Sequence, residues 1–226
     1  MERPKFLGPI LKPIEKPRTP EDIKLASRKY LAGIFEAGGS FSVNVYEGRI
    51  QCGLNFTDVS KGTISAIQKL FDGSEERLRD VRSNRWSITD TQKIVAILTG
   101  IYEFAPSRRV QIESFIEMLG ASGKEKIAIG KSFPRERKRV GEEEYSELVN
   151  DPSFLAGVFD ARGHMYFYEN QGLHRINMQS KNIPLMNAIQ KEHQGGEYSH
   201  TGKMSLSNGV SHKFLHRINP YRIANL

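Results

Sequence analysis

Leu31-Ala32-Gly33-Ile34-Phe35-Glu36-Ala37-Gly38-Gly39 returns later in the chain as Leu155-Ala156-Gly157-Val158-Phe159-Asp160-Ala161-Arg162-Gly163. Six of the nine positions are identical, and two of the other three exchange like for like. The correspondence continues downstream. Ala66-Ile67-Gln68-Lys69 matches Ala188-Ile189-Gln190-Lys191, each followed by a glycine and a glutamate (Gly73 and Glu75, Gly195 and Glu197). Arg85-Trp86-Ser87-Ile88 then matches Lys203-Met204-Ser205-Leu206. Three matches in one order mark a duplicated unit.

Working outward from the nonapeptides, each copy reads as the same run of elements. Asp22 to Phe35 carries apolar residues at helical spacing and stops at Gly38-Gly39. Phe41, Val43 and Val45 then alternate with polar residues, Glu47-Gly48 turns the chain, and Ile50, Cys52, Leu54 and Phe56 alternate again. That is a hairpin with one apolar and one polar face. The pattern predicts a helix over Gly62–Phe71, a short hairpin from Leu78 to Ile88, and a helical region from Thr91 to Leu119 interrupted at Pro106. The second copy predicts a helix over Pro152–Phe159, a hairpin over His164–Gln179, a helix over Ile183–His193 and a short hairpin over Glu197–Leu206. The expected organisation is an extended Pro/Lys-rich arm at 1–20, a first half at 21–120, a charged linker at 121–150 and a shorter second half at 151–226.

Composition narrows the classes. The 226 residues suffice for two small units, and 38% hydrophobic content supplies a core. A net charge of +7 and a pI near 9.4 favour a polyanion as partner. One cysteine, Cys52, excludes an intramolecular disulfide and any zinc site built on several thiolates. Its place in an alternating apolar run predicts burial, as does that of Trp86. No apolar stretch approaches the roughly 18 residues of a spanning helix. The histidines show no metal-ligand spacing, and no phosphate-binding loop, dinucleotide fingerprint or nucleophile elbow occurs. No cofactor is called for.

The repeated nonapeptide resembles the LAGLIDADG family of homing endonucleases and intron maturases, and the resemblance runs from about Asp22 to Leu226. Two motifs in one chain are similar to its single-chain, pseudo-symmetric members. The resemblance implies an α+β fold, α-β-β-α-β-β-α in each half, with saddle-shaped antiparallel sheets and helices on the opposite face. It implies a monomer with an internal pseudo-twofold, whose motif helices pack together through Ala32, Gly33, Ala37, Ala156, Gly157 and Ala161. Gly39 and Gly163 suit the sharp exit from helix to strand. In active relatives the eighth motif position is a carboxylate that holds divalent metal for phosphodiester hydrolysis. Here those positions are Gly38 and Arg162. Neither ligates Mg²⁺. Glu36 and Asp160 stand two residues earlier, about 200° around the helix, and are expected to make local polar contacts near the helix ends.

Candidate contacts to nucleic acid lie on the polar hairpin faces. The first offers Ser42, Asn44, Tyr46, Arg49, Gln51 and Asn55; the second offers His164, Tyr166, Tyr168, Arg175, Asn177 and Gln179. Asn, Gln and Arg read base edges, and Tyr or His stacks on exposed bases. A merely solvated face would carry more Lys and Glu. Basic candidates for phosphate contact are Arg77, Arg79, Arg82 and Arg85, then Arg108 and Arg109, Arg162, and finally Lys213, Arg217 and Arg222. The linker cluster from Lys131 to Arg139 reads equally well as solvated, because Glu142, Glu143 and Glu144 follow it.

These readings combine into a catalytically inactive LAGLIDADG-fold protein without metal that binds nucleic acid, RNA in preference to DNA. Maturases in the resembled family set the precedent: a maturase-like factor or a structural component of a ribonucleoprotein such as a ribosome, with other particle proteins as further partners and no membrane. The alternatives are an active DNA endonuclease with unconventional ligands, a sequence-specific DNA-binding repressor, and a protein-interaction module. The resemblance to organelle-intron proteins points to mitochondrion or plastid and leaves a prokaryotic cytoplasm open.

Overall fold

Thr19 opens the first helix, α1 (Pro20–Gly38), with a capping box: its Oγ1 accepts from Asp22 N at 3.1 Å, and its own N–H donates to Asp22 Oδ2 at 3.2 Å. Pro20 fits the first turn, where no amide partner is lost. The computed structural model describes residues 19–57, 74–77, 84–168, 173–193, 197–199, 202–206 and 208–222. The arm at 1–18 and the helix expected over Gly62–Phe71 lie outside them.

After α1 come β1 (Gly39–Tyr46) and β2 (Arg49–Thr57), then β3 (Ser74–Arg77) and β4 (Asn84–Ile88). These make one antiparallel sheet in the order β1-β2-β4-β3. The helical region splits around Pro106 into α2 (Thr91–Ile101) and α3 (Arg109–Gly120), with two short 3-10 turns between. A further helix, α4 (Gly123–Ser132), follows. The second half is α5 (Pro152–Arg162), β5 (Gly163–Tyr168), β6 (Leu173–Gln179), α6 (Ile183–His193), β7 (Glu197–Ser199), β8 (Lys203–Leu206) and α7 (Asn208–Ile218). Its sheet order, β5-β6-β8-β7, repeats the first. The short hairpin expected from Leu78 starts earlier, at Ser74.

The two motif helices lie against each other and run the same way. Lys29 on α1 pairs with Asp151, the N-cap of α5, at 2.6 Å, while Gly38 meets Arg162 at the other end. Between them the contact is reciprocal. A Cβ on Gly33 would sit 2.1 Å from the Phe154 carbonyl oxygen, and one on Gly157 would sit 1.9 Å from that of Tyr30. Only glycine permits backbones this close, so the small residues of the motif are fixed by packing. The buried face of α1 continues into the core through Phe35, whose ring packs edge-on against Phe41 and Phe56; Phe56 stacks on the fully buried Trp86.

Three expectations need correction. Gly39 (φ −73°) and Gly163 (φ −91°) are in ordinary extended conformation, so backbone freedom is not why they are glycines. A Cβ there would collide with Phe35 Cδ2 at 2.0 Å and Phe159 Cδ2 at 2.2 Å; the aromatic rings take that space. The linker expected at 121–150 is in large part folded: its start packs on the first sheet, and 142–150 packs on α5 and α6 of the second half. Gly130 of α4 lies under Ile50 and Val45, and the following Phe133 is buried against Phe41 and Phe115. Cys52 is only partly buried, and burial raises its thiol pKa. No helix among the described residues is long and apolar enough to cross a membrane.

Candidate nucleic-acid interface

Strand register decides what each sheet shows to solvent. In the first half Ser42 faces Gly53, Asn44 faces Gln51 and Tyr46 faces Arg49, so these side chains share one row face. Asn44, Tyr46, Arg49 and Gln51 are exposed, Tyr46 by 72%. Ser42 is half-buried. Asn55, expected on this surface, belongs to the same row but is buried, since the row dips inward where β2 meets Ser87 of β4. Arg85 pairs with Thr57 in that row, whereas Arg77 pairs with Asn84 in the alternate row, that of Trp86. Arg79 and Arg82 lie outside the described residues.

The second sheet repeats the arrangement. His164 faces Asn177, Tyr166 faces Arg175, and Gln179 faces Lys203, with His164, Tyr166, Gln179 and Lys203 exposed. Tyr168 stands two positions further along β5. Arg175 Nε donates to Ser205 Oγ at 2.5 Å, and Ser205 Oγ donates to Asn177 Oδ1 at 2.8 Å. Arg175 and Asn177 are thus braced through Ser205. The matching serines, Ser87 and Ser205, repeat between the copies and were available as a signal for this bracing. Lys203 is a further exposed cation that sequence reasoning passed over.

Between the two sheets lie the ends of the motif helices. The Arg162 side chain reaches across the pseudo-twofold: its Nε donates to the Ala37 carbonyl at 3.3 Å, and a Cβ on Gly38 would lie 3.1 Å from Nε and 3.4 Å from Cζ. Glycine at 38 makes room for the guanidinium. Ser180 Oγ donates to the same Ala37 carbonyl at 3.0 Å, and Arg137 Nη1 to the Glu36 carbonyl at 2.5 Å. Arg108 Nη2 donates to the Gly39 carbonyl, Nη1 donates to Gln111 Oε1 at 2.8 Å, and Cζ lies 5.2 Å over the Phe35 ring. Cations therefore cover the negative end of α1. Burial, with Arg137 beside it, pulls Arg108 down to about 9, still charged at neutral pH; burial lowers Arg137 as well.

The two sixth-position carboxylates are committed elsewhere, in contacts nearer the core than the expected local ones. Glu36, fully buried, accepts from Ser107 N at 2.9 Å, Ser107 Oγ at 2.6 Å, Tyr145 OH at 2.9 Å and Asn182 Nδ2 at 2.7 Å. It ties the first half, the connecting segment and the second half together. Burial first, then the Glu36 charge, holds the Tyr145 phenol well above its ordinary pKa. Asp160 accepts from Tyr30 OH at 2.9 Å and from Arg222 Nε at 2.7 Å.

This geometry corrects several assignments. Arg108, only 5% exposed and bound to backbone and Gln111, is a structural cation and not a phosphate contact. Arg222 pairs with Asp160 and lies over Phe159. Arg217 donates to the Asn150 carbonyl, and Arg109 to the Glu103 carbonyl with Glu144 3.8 Å away. Lys213, which is exposed, and Arg217 lie on α7, and Arg109 opens α3. A divalent cation does not fit the motif ends: glycine offers no ligand, and the other side chain is itself a cation. Among the described residues no group of three or more His, Cys, Asp or Glu side chains is placed to hold a metal.

No family model and no curated protein sequence matches the chain. Solved structures do. The LAGLIDADG meganuclease I-AabMI bound to uncleaved DNA superposes with a TM-score of 0.60 at 13% identity, over 86% of this chain and 84% of that one. The I-SmaMI LAGLIDADG homing endonuclease bound to cleaved DNA gives 0.58 at 15%, over 91% and 85%. I-SmaMI bound to uncleaved DNA with calcium ions gives 0.55 at 17%, over 84% of each. The chain has the LAGLIDADG homing endonuclease fold.

Proposed function

We propose that this protein is a non-cleaving nucleic-acid binder on a LAGLIDADG fold, holding structured RNA as a maturase-like factor or as a structural component of a ribonucleoprotein. The observation that carries the reading is the Arg162 guanidinium resting on the backbone of Gly38, at the two positions where cleaving members of the fold have metal-holding carboxylates. With Glu36 and Asp160 engaged in the core, no second pair of acids is at hand there among the described residues. The recognition surface is retained: Asn44, Gln51 and Gln179 offer amides for base edges, Arg49 and Lys203 offer charge, and Tyr46 and Tyr166 expose one ring in each half. Exposed rings favour RNA, whose recognition relies on stacking against unpaired bases. A nuclease that has stopped cutting also has no evident use for a DNA target.

The test has two parts. The purified protein is incubated with DNA libraries and Mg²⁺ or Mn²⁺, and bound nucleic acid is crosslinked and sequenced from its native source. No cutting and enrichment of structured RNA are expected. Site-specific cleavage by the unaltered chain would sink the reading. A second reading, a sequence-specific DNA binder, draws on the DNA present in the I-AabMI and I-SmaMI structures. A strong duplex motif without RNA crosslinks would establish it instead.

A further inference from the structure

Between the connecting segment at 141–150 and α6 lies an open cleft of about 930 Å³, and there the sign of the surface charge reverses. Its floor is apolar where Val149 and Ala188, both buried, line it. Its rim sets three carboxylates, Glu142, Glu143 and Glu192, against one ammonium, Lys191, in a chain whose net charge is +7. Glu143 and Glu192 are exposed and carry no ion pair among the described residues. The cleft is not part of the nucleic-acid face. α6 packs on β8, whose Met204 and Leu206 are fully buried while the alternate Lys203 is exposed in the polar row, so this helix lies behind that row.

The walls are set before any ligand arrives. Tyr145 OH accepts from Asn182 Nδ2 at 2.7 Å, which ties the connecting segment to the start of α6. Glu142 Oε1 accepts from Asn187 Nδ2 at 2.8 Å, and Asn150 Nδ2 donates to the Ser146 carbonyl at 2.9 Å. A cleft held in this way costs less entropy to fill. Its chemistry selects the occupant. The acids repel phosphate, and no described group of three or more ligating side chains is placed to hold a metal ion. An apolar side chain would remove the floor from water, while flanking cations would meet the acids at the rim and keep their contact with solvent. We propose that this cleft docks a basic segment of a partner protein, an apolar side chain lying over Val149 and Ala188 and lysines or arginines beside it meeting Glu143 and Glu192. The chain thus offers two surfaces of opposite sign, the polar sheet rows with Arg49 and Lys203 for a polyanion and the cleft for a polycation.

Fluorescence anisotropy tests this with the full chain and a short labelled peptide alternating lysine and leucine, in the absence of nucleic acid. Binding is expected, and it should weaken as salt rises from about 50 to about 200 mM. Glu143→Lys combined with Glu192→Lys is expected to weaken it about tenfold. Glu117→Lys combined with Glu125→Lys, which alters exposed acids on α3 and α4, should leave it within about twofold. A peptide alternating lysine and serine, with nothing to cover the floor, should bind about tenfold more weakly. Thermal unfolding checks that the variants fold. If the lysine pair at the cleft does not, Glu143→Gln with Glu192→Gln carries the test with an expected loss of about threefold. Equal losses from the two lysine pairs, or equal affinity for the two peptides, would reduce the attraction to net charge and overturn the cleft. So would a failure of the unaltered chain to bind. Self-association in sedimentation that the cleft pair abolishes would make a second copy the occupant and overturn the partner protein. A gain of about tenfold in peptide affinity when Lys5, Lys12 and Lys16 are reversed to glutamate would make it the chain's own arm, with the same consequence. None of these results bears on the nucleic-acid reading, because the assay contains none.

Discussion

In the first half the back of the β1–β2 hairpin is roofed by α3 and α4, with Phe41 set among Phe35, Phe115 and Phe133. At the matching place in the second half Met165 is 56% exposed, and no counterpart of α3–α4 occurs among the described residues. The carboxylates diverge in parallel. Glu36 sits at the centre of a four-donor network reaching three parts of the chain, while Asp160 has a tyrosine and one partly exposed arginine. Strand order, the polar rows of the sheets and the helix pairing at the axis are held in common; the cover on the back of the sheets and the partners of the two acids differ. A duplication constrains the surface its copies share and leaves each free at its periphery.

The axis should therefore respond alike in both copies. Gly33→Ala and Gly157→Ala each drive a methyl into a carbonyl of the other helix, and each is expected to cost about 3 kcal/mol or more in chemical denaturation. A difference between them beyond about 1 kcal/mol would break the symmetry claim. Away from the axis the copies should part. Glu36→Gln leaves Arg108 and Arg137 without their countercharge in the interior and is expected to cost about 3 kcal/mol. Asp160→Asn should cost about 1 kcal/mol, because the partly exposed Arg222 can turn to water. Equal losses would show that the two acids had kept equivalent jobs.

Phe41→Ala should cost about 2 to 3 kcal/mol and Met165→Ala less than about 0.5 kcal/mol, read from paired melts. A large loss at Met165 would mean that the second sheet is covered after all. A further effect concerns acid. Burial, with Arg217 adding to it, depresses His193 to about 4, against 6.5 for the free side chain. Neutral His193 therefore contributes stability above about pH 6.5, and that contribution is lost as the pH falls towards about 4, when the unfolded chain takes up the proton first. About 1 to 2 kcal/mol is expected after allowance for solvent at this partly exposed site. His193→Leu should flatten the curve between those limits.

The axis was legible in the sequence because a helix–helix contact through glycine leaves a dense local signature, repeated twice. The exposed rows of β1, β2 and β5 were legible because alternation has only two phases, and Asn44, Gln51, His164 and Tyr166 fall in the outward one. Sequence reasoning failed where partners are distant in the chain. Nothing local to Arg108 or Arg222 distinguishes a cation that neutralises a buried region from one that meets a phosphate. The same applies to α4: a charged helix with a narrow apolar edge reads as linker until Gly130 is found beneath Ile50. Gly39 misled in a different way. Its identity was foreseen for a backbone reason, but the cause is the Phe35 ring.

The fit of Arg162 over Gly38 also makes two distant positions in the chain interdependent. A carboxylate introduced at 38 alone would land against the Arg162 guanidinium and pair with it. An acid introduced at 162 alone would face a glycine. The space at one position is set by the side chain at the other, so neither can be exchanged on its own terms; the pair behaves as a lock of which each residue is half.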